Sequence, residues 1–177
     1  MSTSMDYREH LFRPLSLHFV DHLVEVIFSN PEDFKIIYTL IFDSEEKVAW
    51  RAAWACQKIS EKFPGWFTEK QFMELAAHAI YTSHAGLKRG CLSILYNLDL
   101  PDSIPVDFLN SCFEWMISPR SSIAVQALSM KILYKICSKE PDLINELRTY
   151  LESISPDDYS KGFNAARHKI LKNLIAK

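Results

Sequence analysis

Glycine is scarce in these 177 residues: only Gly65, Gly86, Gly90 and Gly162 occur. No two of them have the spacing of a phosphate-cradling loop or a dinucleotide fingerprint, which excludes nucleotide binding through those devices. Cysteine is equally sparse. Cys56, Cys91, Cys112 and Cys137 stand singly, each inside an apolar run, and offer neither a zinc spacing nor a CxxC pair. They read as reduced thiols packed like small hydrophobes, as expected in the cytoplasm. Long uncharged apolar stretches are missing too. The run from Leu15 to Phe28 is broken by His18, Asp21, His22 and Glu25, and Met1 to Pro14 lacks the apolar core of a secretion signal, so no membrane insertion is expected. With 48% apolar and 24% charged residues and a net charge of −2, the chain reads as one globular domain over residues 1–177.

No segment alternates with period two over β-branched residues, and no sheet is expected. Proline supplies the punctuation: Pro31, Pro64, Pro101, Pro105, Pro119, Pro141 and Pro156 fall between periodic segments. The segments predict a leading helix over 15–29, then helix pairs at 31–42 with 44–62, 68–82 with 84–98, 105–118 with 121–139, and 141–154 with 157–176. Start signals agree with this division. Glu45 and Glu46 follow Ser44, Thr68 precedes Glu69, and Asp157 and Asp158 open the last helix, so acids sit at positive helix ends.

The second helix of each pair carries one phrase: an apolar residue, a basic or amide residue, two spacers, then small and apolar residues. Its copies begin at Trp50-Arg51, Leu87-Lys88, Val125-Gln126 and Ala166-Arg167, at spacings of 37, 38 and 41 residues between the polar members. A helical period near forty marks stacked hairpins, none of which buries its apolar face alone. The phrase resembles the HEAT/armadillo class of α-solenoid over residues 31–177. That resemblance implies an all-α superhelix of about four hairpins with a concave face lined by the second helices. Fold alone does not assign chemistry.

Charge is distributed unevenly over this pattern. The four second helices hold a net charge of +8, and the remainder of the chain holds −10. If the second helices line one face, Arg51, Lys58, Lys88, Arg89, Lys131, Lys135 and Arg167 form a basic groove able to attract an acidic protein or a phosphate backbone. Last-turn lysines also complement helix dipoles, which explains part of the bias without any ligand. Trp50 and Trp54 are one turn apart and supply either an aromatic anchor in the groove or core wedges between hairpins. The tail from Lys161 to Lys177 carries five basic residues and no acidic one, which suits a polar terminal cap.

The same Trp50-Arg51 phrase resembles the cleft of HEAT-like alkylpurine DNA glycosylases, and the resemblance implies a nucleic-acid-binding or base-excision alternative. A net negative charge, seven arginines in all and the lack of an Asp within the phrases count against it. His18, His22 and Glu25 share a helix face, but Phe19 follows the first histidine where a metalloprotease helix needs Glu, so a solvated face is expected and no metal. Phe63, Trp66, Phe67 and Phe72 surround the Pro64-Gly65 turn and read as the seal between two pairs. No residue pattern points to catalysis or a cofactor. The reading is a non-catalytic protein-binding scaffold that engages another protein through its basic groove.

Overall fold

The computed structural model describes residues 6–13 and 17–175, with side chains for 6–13 and 20–174. The described residues are helices, 3-10 turns and loops, with no strand. The chain divides after Asp99 into two compact units.

The first unit contains α1 (Tyr7–Phe12), α2 (Leu17–Ser29), α3 (Phe34–Thr39), α4 (Glu46–Lys62), α5 (Glu69–Tyr81) and α6 (Ala85–Asn97). Its hub is α4, which packs on α1, α2, α3 and α6, while α5 pairs with α6. The sequence of α4 explains this. Val48, Ala49, Ala52, Ala53, Ala55, Cys56 and Ile59 are all buried and extend beyond a single stripe, so several neighbours can cover the helix at once. Small residues bring those neighbours close. A Cβ placed on Gly90 of α6 would lie 2.9 Å from the Ala53 Cβ, so glycine is required at this crossing.

Thr68 caps α5 as expected, in a reciprocal box with Gln71. Two expectations need correction. The helix predicted over 31–42 is instead the short α3 between 3-10 turns at Pro31–Asp33 and Leu40–Phe42. Ile36, Ile37, Tyr38 and Thr39 are consecutive β-branched or aromatic residues that lose rotamer freedom in a helix. Helix α1 was not predicted. The Asp6 carboxylate accepts the Glu9 N–H at 3.0 Å, the Tyr7 hydroxyl donates to Asp33 at 2.6 Å, and Arg8 donates twice to Asp43, at 2.7 and 3.0 Å. Tertiary contacts rather than periodicity define so short a helix.

The aromatic seal is present. Phe63 meets Phe28 and Trp66, each at 4.9 Å between ring centres, and Phe34 meets Phe67 at 4.9 Å and Trp66 at 5.7 Å. These rings tie the end of α2, the start of α3 and the Pro64–Trp66 turn together, and Phe72 is buried in α5.

The second unit contains α7 (Val106–Ile117), α8 (Ile123–Ile136), α9 (Leu143–Ser153) and α10 (Lys161–Ile175), with α8 packed on the other three. The last helix starts later than its acids suggested. Asp157 and Asp158 lie in a 3-10 turn, and Ser160 is the true cap, its hydroxyl accepting from the Phe163 N–H at 3.1 Å.

Candidate functional site

The polar member of the repeated phrase has a structural use at Arg51, Gln126 and Arg167. Arg51 Nη1 donates to the carbonyls of Leu11 at 2.7 Å, Phe12 at 3.4 Å and Arg13 at 2.5 Å, where α1 ends. Gln126 Nε2 donates to the Ser118 carbonyl at 2.9 Å, just past the end of α7. Arg167 Nε donates to the Leu151 carbonyl at 2.5 Å in the last turn of α9. Each side chain satisfies carbonyls that a helix end leaves without intrahelical partners. Arg51 is only 9% exposed, and burial pulls its pKa below the ordinary guanidinium value. It stands beneath the surface rather than in a groove.

The remaining predicted cations have different surroundings. Lys58 pairs with Asp21 at 2.7 Å. Lys88 is half-buried, whereas Arg89 is exposed. In the second unit Lys131 is exposed and Lys135 half-buried.

What the first unit does assemble is an open cleft of about 400 Å³ between α4 and α6, lined by Trp50, Trp54, Gln57, His84, Gly86, Arg89 and Gly90. Trp50 and Trp54 are neither core wedges nor free flags. Each is half-buried, and their rings lie nearly parallel, 16° apart in plane and 6.2 Å between centres. Arg51 supports the pair from within, its guanidinium carbon 5.5 Å from the centre of the Trp50 ring. Across the cleft, Gly90 forms the close crossing with Ala53, which sets the spacing of the two helices. A Cβ on Gly86 would lie 3.0 Å from the His84 ring, so this glycine lets the imidazole lie against the start of α6.

His84 caps α6: its Nδ1 accepts the Leu87 N–H at 3.0 Å. The neutral ring therefore carries its proton on Nε2. Gln57 donates its amide to Glu61 at 3.2 Å, which leaves its carbonyl oxygen as an acceptor. Gln57, His84 and Gly86 were not foreseen as site residues. The only available signal was that His84 and Gly86 immediately precede the Leu87-Lys88-Arg89 phrase that faces Trp50 and Trp54 one repeat earlier.

His22 and Glu25 are exposed, and the His18 side chain lies outside the described residues. Among the described residues no three His, Cys, Asp or Glu side chains converge as metal ligands, and no helix is long and apolar enough to cross a membrane.

Helical hairpins whose second helices carry a repeated carbonyl-capping residue, with a cleft between two of those helices, define a helical-repeat protein. The family can be stated as well: a model of the HEAT repeat domain matches residues 7–174, and the chain belongs to that family, a scaffold often used in protein interaction. Neither a curated protein nor a solved structure matches the chain.

Proposed function

We propose that this HEAT-repeat chain is a non-catalytic adaptor that docks another protein, acidic in character, on the α4–α6 face. One observation carries the reading: a stacked, half-exposed tryptophan pair faces an exposed arginine across an open cleft whose lining includes no carboxylate. Two indoles and a guanidinium are the side chains most enriched at binding hot spots. The site consists of Trp50, Trp54 and Arg89, with Lys88 as flanking positive charge. Lys131, Lys135 and Arg167 supply positive charge in the second unit. Buried free thiols at all four cysteines support a reducing, cytoplasmic setting.

The nucleic-acid alternative needs a track of available cations along a phosphate backbone. Arg51 and Arg167 are engaged by backbone carbonyls and Lys58 by Asp21, which favours a protein partner.

Photo-crosslinking tests the adaptor role. A benzoylphenylalanine placed at position 85, exposed at the start of α6 beside the cleft, should trap a discrete cellular protein, and Trp54→Ala should abolish that adduct without lowering the melting temperature. Identical adducts with and without Trp54→Ala, or none at all, would end the proposal.

A further inference from the structure

The chemistry of the cleft wall narrows what it can hold, and the inference drawn from it rests on the adaptor reading. We infer that the α4–α6 cleft selects a peptide segment in which a carboxylate side chain stands next to an aromatic ring.

The polar groups of the wall are almost all donors. Arg89 presents a guanidinium that makes no ion pair among the described residues, and it is exposed at the cleft. His84 has committed Nδ1 to the Leu87 N–H, so its remaining ring nitrogen is a donor, and the indole nitrogens of Trp50 and Trp54 can only donate. The Gln57 carbonyl oxygen is the one side-chain acceptor left in the lining. A cationic ligand would be attracted by the indole faces but repelled by Arg89, with no acid in the lining to compensate. An anion meets donors at every polar side chain of the lining except the Gln57 carbonyl oxygen.

The number of available cations separates a carboxylate from a phosphate chain. Phosphate backbones are held by several cations at once. Here one guanidinium is available in the lining, which matches one carboxylate through two parallel hydrogen bonds. The flat, nearly parallel indoles then favour a ring as the adjoining group, because aromatic pairs gain beyond the area they bury. Arg51 lies against the Trp50 ring and is fixed by three carbonyls, so the aromatic platform is held in place before the ligand arrives. A volume of about 400 Å³ accommodates two side chains of a passing segment.

The probe is a fluorescein-labelled peptide with a Glu-Phe-Glu-Phe core in Gly-Ser flanks, titrated with the full chain by fluorescence anisotropy. Saturable binding is expected, weakened about tenfold when Gln replaces Glu in the peptide, as for loss of a charge-assisted hydrogen bond. Arg89→Gln should weaken the Glu peptide by a similar factor and leave the Gln peptide nearly unchanged. Trp54→Ala should weaken both. No binding of the Glu peptide, an equal effect of Arg89→Gln on both peptides, or tighter binding of a single-stranded oligonucleotide would each overturn the inference. If the peptide fails while crosslinking at position 85 still traps a protein in a Trp54-dependent way, the ligand chemistry is wrong and the adaptor role stands. Failure of both experiments removes both.

Discussion

A guanidinium buried without an acid beside it, as at Arg51, is held by dipoles rather than by a counter-ion. The end of α1 turns three carbonyls toward Nη1, and the partial negative charge of a helix C-terminus stands in for the missing carboxylate. Nε remains buried without a partner, so the site has no further hydrogen bond to lose gracefully. Arg51→Met should therefore lower stability by about 2 kcal/mol and release α1, read as faster amide exchange confined to residues 7–12. His78 carries another buried nitrogen of this kind. Its Nε2 is buried with no partner, its ring lies 4.9 Å from that of Phe42, and desolvation lowers its pKa. Because the folded state binds this proton less readily than the unfolded state does, the sign is fixed. Stability is full above the unfolded value near ~6.5 and falls as pH drops below it toward the depressed folded pKa. Urea midpoints at pH 7 and pH 5.5 should differ less in His78→Gln than in the parent chain.

At the scale of the element, the α4–α6 crossing controls the cleft. Gly90→Ala forces a methyl group against the Ala53 methyl, and neither belongs to a flexible chain end that could swing aside. The helices must separate, at a cost of roughly 1–3 kcal/mol, and the Trp54 environment should change with them. A shifted tryptophan emission maximum together with a lower melting temperature would show this; a silent Gly90→Ala would mean the crossing does not set the cleft. The sequence made these elements legible because α4 to α10 each bury an apolar face with a helical period, most of them with a proline at the joint before or after. It could not reveal α1, whose six residues are stabilised by Asp33, Asp43 and Arg51 far along the chain. The same blindness affected the site. Arg51 and Arg89 are both arginines within the repeated phrases, yet one is engaged by carbonyls and the other is exposed, a difference that depends on which helix end lies opposite. Trp50 and Trp54 were legible as a pair, but not their half-exposed setting.

For the whole molecule, the cysteines provide a probe in each compact unit, with Cys56 and Cys91 in the first and Cys112 and Cys137 in the second. Burial raises the thiol of Cys91 to about 12 and pushes Cys56 and Cys112 up as well, so native protein should resist iodoacetamide at pH 8. We propose, from the sequence, that residues 1–177 form one domain; all four thiols should then become reactive at a single urea concentration. Two separate reactivity midpoints would show that the units unfold independently.

The carbonyl-capping side chains also differ in how far back along the chain they reach. Gln126 bonds eight residues back and Arg167 sixteen, each to the first helix of its own hairpin, whereas Arg51 bonds 38 to 40 residues back. A segment copied from α7 to α8 carries its latch and catch together and is a self-contained part. A segment copied from α3 to α4 leaves the catch behind. Any lengthening of this array by duplication, natural or engineered, should therefore be accepted more readily in the later hairpins than in the first.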